Sequence, residues 1–176
     1  GIAMSFVGNS RPASGSEHHL SHFFEIVGLL KDEPYFFHGI DVVYSTVVTE
    51  RIREKILKLD HFEAAQKFDR AAWEKNIHEI YLSAADGVID LQNQQGWYEK
   101  DYISIYKEKF EQIKQVLAEV PSSAELEKML AKVDLNMSEF EKEYGAEKIE
   151  KATFFAKDLK NRYTVLWLYY TLFYKD

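Results

Sequence analysis

Residues 39–59 read GIDVVYSTVVTERIREKILKL, and the choice between strand and helix for this stretch decides the fold class. Its first half is rich in β-branched residues, with Val42, Val43, Thr46, Val47, Val48 and Thr49 close together. Such residues favour strands on propensity alone. The apolar positions, however, fall at Val42, Val43, Val47, Ile52, Ile56 and Leu57, which keep the three- and four-residue spacing of a helix face. The pattern continues unbroken into ERIREKILKL. Periodicity over the whole stretch outweighs local propensity, and the stretch is read as a helix from about Gly39 to Leu59.

The flanking sequence has the same period. Upstream, Pro34 interrupts a helical pattern that opens at a capping box, Ser14 with Glu17, and runs through His18, His22 and Glu25 towards Leu29. Downstream, a third pattern covers 70–94, with a break expected near Gly87, and Gly96 marks the next turn. Residues 101–120 are amphipathic, with Ile103, Tyr106, Phe110, Ile113, Val116 and Leu117 on one face. Pro121-Ser122-Ser123 restarts a helix that ends near Val133. A capping box of Ser138 with Glu141 begins a short stretch that Gly145 stops, and two last helices meet around Asn161-Arg162. The chain therefore reads as all-α, a multi-helix, bundle-like domain of about seven to nine helices.

Composition agrees. The 176 residues suit one domain, 1–176, and 46% are hydrophobic. No cysteine is present, which excludes disulfides, thiolate metal sites and a cysteine nucleophile. Lys+Arg 22 against Asp+Glu 29 gives a charge of −7 without a long run of either sign, so no nucleic-acid partner is expected. Neither G-x-G-x-x-G nor G-x-x-x-x-G-K-[ST] occurs, so a glycine-rich phosphate loop is missing from these residues. The most apolar window, YTVLWLYYTLFY from Tyr163 to Tyr174, falls short of the roughly 20 residues a membrane span needs. With no signal peptide visible, a soluble, cytoplasmic protein is expected. The opening Gly1-Ile2-Ala3-Met4 suggests a piece of something longer.

Four of the six histidines lie between residues 18 and 38. His18 and His22, four apart, share one helix face and can meet one metal ion, or one can ligate while the other touches a substrate. His38 starts the next helix after a proline-containing turn, so an antiparallel hairpin could return it to them. A carboxylate usually completes such a donor set, and Glu17, Glu25 and Asp41 are the nearby candidates. The plainer alternative is histidines that only pack, which suffices for His61 and His78. Ahead of the helix, GNSRPASGS (Gly8 to Ser16) is a small polar loop whose free N–H groups and helix dipole favour an anion. Arg11, Ser14 and Ser16 could bond a phosphate there; otherwise the serines cap the helix and Arg11 is a surface charge.

The string SRPASGSEHHLSHFFE, Ser10 to Glu25, resembles the glycerol-1-phosphate dehydrogenase branch of the iron-containing alcohol dehydrogenase and glycerol dehydrogenase superfamily. HGIDVV, from His38, resembles that family's H-G-E-x-V helix start, with Ile40 in place of the glutamate. LKNRYTVLWL, Leu159 to Leu168, resembles its closing helix. The resemblance implies the helical C-terminal half of a dehydroquinate synthase-like, iron-type alcohol dehydrogenase fold. It implies His18 and His38 as metal ligands, His22 as a substrate-contacting catalytic residue, and no role for His19 beyond packing. The family's third ligand, an upstream aspartate, and its N-terminal nucleotide-binding domain have no counterpart in these residues.

The implied activity is hydride transfer between NAD(P)H and dihydroxyacetone or its phosphate, yielding glycerol or glycerol 1-phosphate. A divalent ion, zinc or else nickel or iron, would act as Lewis acid, and NAD or NADP would be held mainly by the missing domain. The substrate phosphate would rest against Arg11, Ser14 and Ser16. The 176 residues by themselves are expected to be inactive and to self-associate as a homo-oligomer. Two alternatives stand beside this reading. A dehydroquinate synthase-type enzyme is disfavoured, because Glu17 and Ser21 occupy the two glycine positions of its G-H-x-x-G-H segment. A helical interaction module with structural histidines is the other.

Overall fold

A computed structural model describes residues 14–61 and 67–175, together with Gly8. Arg11, expected at the phosphate, lies outside the described residues. The architecture is all-α, as expected, and the described residues contain no strand. Among the described residues, eight α-helices follow in order: α1 (Ser16–Lys31), α2 (His38–Leu57), α3 (Arg70–Tyr81), α4 (Ala85–Gln95), α5 (Tyr102–Leu117), α6 (Ser123–Ala131), α7 (Met137–Phe155) and α8 (Val165–Phe173). Short 3₁₀ turns occupy Leu82–Ala84 and Ala156–Leu159. The β-branched run of residues 42–49 lies wholly within α2, and Tyr44, Val47 and Ile52 face the core.

Several helix boundaries differ from the sequence reading, each for an identifiable reason. Ser14 does not cap α1. Gly15 stands at the cap position, and its N–H donates to Glu17 Oε1 at 2.8 Å. The break in the third pattern comes at Leu82, with φ 45, and not at Gly87, which sits inside α4. Tyr81 fixes that break, because its fully buried hydroxyl donates to the Phe155 carbonyl at 2.9 Å. The Ser138–Glu141 box does not form. Asn136 caps α7 through the Ser138 N–H, and Glu141 pairs with Arg51 at 2.8 Å. A capping box does form one helix earlier, between Ser122 and Glu125. Gly145, at φ 69 and ψ 158, is non-helical and divides α7 into two helical segments, as the sequence reading expects.

The segment that most affects the site joins α1 to α2. Asp32 closes α1 in the left-handed region (φ 55), and residues 33–37 then run without regular structure back along α1. Pro34 holds Glu33 out of the helical region. The close approach is marked at Gly28, where an added Cβ would lie 2.6 Å from the Tyr35 ring. From His22 to Lys31 the helix climbs about 13.5 Å, a distance that five or six extended residues, at about 3.3 Å each, can retrace. The strap thus delivers His38 beside the first turns of α1.

The first half of α7 fastens the strap. Tyr144 Oη accepts the Phe36 N–H at 3.0 Å and donates to Asp41 Oδ1 at 2.7 Å, while Lys148 pairs with Glu33 at 2.8 Å. The Tyr144 ring stacks on Phe24 of α1, with centroids 4.1 Å apart. Around these contacts lies a continuous core that includes Leu20, Phe23, Phe24, Tyr44, Ile56, Ile77, Phe140 and Leu166. Each large apolar side chain so buried contributes about 1.5–3 kcal/mol by transfer alone.

Candidate functional site

Three of the expected histidines converge. The ring centroids of His18 and His38, and of His22 and His38, are each 5.3 Å apart, and those of His18 and His22 are 6.4 Å apart. His18 and His22 reach this point from successive turns of α1. His38 is the first residue of α2, delivered by the strap.

These spacings can be tested against a metal ion. An imidazole nitrogen sits about 2.1 Å from a zinc-like ion and the ring centroid about 1.1 Å beyond, so two rings on one tetrahedral ion have centroids about 5.2 Å apart. Either pair that includes His38 fits that geometry. The His18–His22 spacing would put the ion almost on a straight line between the rings, so those two do not share a tetrahedral ion as they stand. Among the described residues, a set of donor atoms lying within 4.8 Å of one another comprises His22, Glu25 and His38. Among the described residues, His38 is therefore common to both histidine pairs that fit and to this set.

Carboxylates border two of the three rings. His18 Nδ1 lies 3.1 Å from Glu17 Oε1, and His38 Nδ1 lies 2.9 Å from Glu25 Oε1 and 3.2 Å from Ser21 Oγ. For Glu17, burial opposes the charge, but the Gly15 N–H and His18 outweigh it, so the carboxyl sits below its usual range. Burial, reinforced by the charge of Lys160, keeps the His22 imidazole neutral to a lower pH than usual. His19, fully buried, donates through Nδ1 to the Gly15 carbonyl at 2.8 Å, and burial lowers its pKa to about 4. It is a neutral core residue behind the site.

Asp41 does not join the histidines. It is fully buried and takes the Tyr144 hydroxyl on Oδ1, while Oδ2 has no partner among the described residues. Burial, with Glu25 adding like charge, raises its pKa to about 7 against the pull of the Tyr144 hydrogen bond.

Ser14 and Ser16, expected at a phosphate, are both buried. Ser14 is held from the far end of the chain: its hydroxyl lies 3.3 Å from Lys160 Nζ, and its carbonyl accepts from Arg162 at 2.9 Å. Lys160 also approaches the His18 carbonyl at 3.5 Å. Its hydrogen bonds within the described residues go to a hydroxyl and a carbonyl, not to a carboxylate. Burial and the nearby Arg162 lower its pKa. Residue pattern alone gives Lys160 no part; the only sequence signal is its place in the LKNRYTVLWL segment, 142 residues from His18.

Comparison with known proteins agrees with the resemblance. The chain is 38% identical over 65 residues to a glycerol-1-phosphate dehydrogenase [NAD(P)+] of Halalkalibacterium halodurans, a match covering 36% of this chain and 16% of the relative. It is 37% identical over 78 residues to the enzyme so named from Geobacillus stearothermophilus (43% and 19%). Over 55 residues it is 42% identical to that of Archaeoglobus fulgidus (31% and 14%). The matches thus span between a seventh and a fifth of the relatives' length. No family model matches the chain, and no solved structure does. Among the described residues, no helix is long and apolar enough to cross a membrane.

Proposed function

We propose that this chain forms the metal- and substrate-binding helical part of an NAD(P)-dependent glycerol-1-phosphate dehydrogenase, working in the cytoplasm as a homo-oligomer. The observation that carries the reading is the convergence of His18, His22 and His38 at spacings that suit one divalent ion and one neighbouring imidazole. His18 and His38 hold the ion, of which zinc fits the nitrogen donors best, together with the aspartate that the resemblance places upstream. When bound, the ion supplies Lewis-acid polarisation of the substrate carbonyl.

His22 contacts the substrate. Being neutral near pH 7, its ring can hold or pass a proton at the substrate oxygen. The phosphate of dihydroxyacetone phosphate is met by Lys160, with the Ser14–Ser16 turn behind it and Arg11 completing the site. A cation beside the histidines favours a phosphorylated substrate over free dihydroxyacetone. NAD or NADP is bound mainly outside these 176 residues, which hold no glycine-rich dinucleotide turn, so the chain alone does not turn over.

Calorimetric titration of the chain with zinc tests the ligand assignment, run beside an NADH-oxidation assay with dihydroxyacetone phosphate. His18→Ala and His38→Ala should each weaken zinc binding by tenfold or more, and the chain alone should give no oxidation. Zinc affinity unchanged in both variants overturns the metal assignment.

A further inference from the structure

We propose that Glu17 and Glu25 are positioning residues: each holds the Nδ1–H of one histidine, so that the Nε2 lone pairs of His18 and His38 are presented as the metal-binding atoms. The inference rests on the reading of His18 and His38 as ligands and adds the device that prepares them. It stands on hydrogen-bond geometry. His18 Nδ1 is 3.1 Å from Glu17 Oε1, and His38 Nδ1 is 2.9 Å from Glu25 Oε1. An ionised carboxylate can only accept, so the ring nitrogen facing it is the protonated one and the opposite nitrogen carries the lone pair. In a histidine free in water the proton prefers Nε2, so Nδ1–H at two converging rings is an imposed state.

Each carboxylate is itself held in place. Glu17 Oε1 also accepts the Gly15 N–H at 2.8 Å, which ties it to the start of α1. Glu25 lies one turn beyond Ser21, and the Ser21 hydroxyl, fully buried, is 3.2 Å from the same His38 nitrogen. The His38 ring is thereby fixed from two successive turns of α1. Metal-bound histidines generally use their second nitrogen in this way, and loss of the partner weakens metal binding.

His22 differs. Among the described residues its ring contacts His18 and His38 but has no carboxylate on either nitrogen. This difference separates two ligands from one substrate-facing imidazole, which ring spacing alone does not. It also gives Glu25 a different part from that of a third ligand, which its place within 4.8 Å of His22 and His38 would otherwise suggest.

The test uses the full 176-residue chain, labelled with nitrogen-15, in long-range proton–nitrogen spectra at pH 8 without metal. His18→Gln and His38→Gln assign the resonances. Both rings should show the Nδ1–H tautomer, and an Nε2–H tautomer at either overturns the proposal for that pair. Glu25→Ala should release His38 alone from Nδ1–H and weaken zinc binding by about 10- to 100-fold. Glu25→Gln keeps an acceptor oxygen, so it should retain the tautomer and stay within a few-fold of the parent affinity. Glu17→Gln, which preserves the bond to Gly15, should behave likewise at His18. If Glu25→Gln loses as much zinc affinity as Glu25→Ala, Glu25 is a direct ligand and the proposal fails. Tautomers as stated without zinc uptake support the positioning and overturn the metal reading, so the two failures are distinguishable.

Discussion

Replacing Asp41 by asparagine should remove a pH dependence of stability that the fold imposes on one buried carboxyl. Asp41 is fully buried, with Tyr144 donating to Oδ1 and no described residue bonded to Oδ2. Burial and the facing Glu25 raise its pKa from 3.8 to about 7, against the opposing pull of Tyr144 and Lys148. Below about pH 4 the carboxyl is protonated in both folded and unfolded chains, and its titration has no effect on stability. Between about pH 4 and 7 the unfolded chain gives up the proton while the folded chain keeps it, so stability falls as pH rises. Above pH 7 both states are ionised and the loss is complete. A rise from 3.8 to about 7 is equivalent to about 4 kcal/mol.

Asparagine keeps the oxygen that accepts from Tyr144, and its amide faces the same unpartnered position as the protonated acid, so the two chains should be close in stability near pH 4. By pH 8 the variant should be the more stable by about 4 kcal/mol. With a urea slope of about 2 kcal/mol/M, that is a midpoint about 2 M higher. Urea unfolding of both chains at pH 4.5, 6 and 8, followed by circular dichroism, measures the widening gap. Other titrating groups are common to both chains and cancel. A gap that stays constant across pH would show that Asp41 is ionised in the folded chain at low pH, and the reasoning would fail.

Three other perturbations probe the strap, the buried ion pair and the cation. Gly28→Ala would set a Cβ 3.0 Å from the Glu33 carbonyl oxygen, which cannot rotate away. A loss of about 1–3 kcal/mol in urea unfolding is expected, and no loss would show that the strap does not press on α1. Lys157 and Asp158 are fully buried and paired at 2.8 Å, with Lys157 Nζ 3.9 Å from the Tyr170 ring centroid. Lys157→Met should cost about 3–5 kcal/mol by stranding Asp158, and adding Asp158→Asn should recover part of it. If the single variant unfolds at the parent's midpoint, the pair is not holding the turn. Lys160→Gln should weaken calorimetric binding of inorganic phosphate by roughly tenfold, the loss of about 1.4 kcal/mol of charge-assisted bonding. Equal affinity in both chains would remove Lys160 from the phosphate site.

The helical fold was legible because the core keeps a helical period. Val47, Ile52 and Ile56 recur on one face of α2 and are buried there. Boundaries set by contacts between distant residues were not legible. Leu82 has nothing in its own sequence to mark a break; the anchor is Tyr81 bonded to Phe155, 74 positions away. The histidine cluster was half legible. A four-residue spacing places His18 and His22 on one face, but the return of His38 depends on the strap, which is held by Tyr144 more than a hundred positions later. Lys160 could not be placed from local pattern, because its route to His18 runs through a turn after α7.

The two parts of the candidate site, His38 and Lys160, are positioned from two places along α7: its kink and the turn that follows it. Before the kink at Gly145, Tyr144 bonds the strap and Asp41 and so fixes where α2 begins, and with it His38. After α7 ends, the 3₁₀ turn at Ala156–Leu159 is locked by buried groups: Lys157 on Tyr98 at 2.7 Å, Tyr98 on Asp158 at 2.7 Å, and Gln92 on the Asp158 carbonyl at 2.8 Å. Lys160 is the next residue, so this lock determines where its amine emerges beside Ser14 and His18. A buried ion pair stabilises a fold weakly compared with apolar packing of the same volume. Under the proposed function the pair, just before Lys160, would have a second use: a rigid turn would present Lys160 at a fixed distance from the histidines, where a freely moving lysine would lose rotamer entropy on meeting an anion.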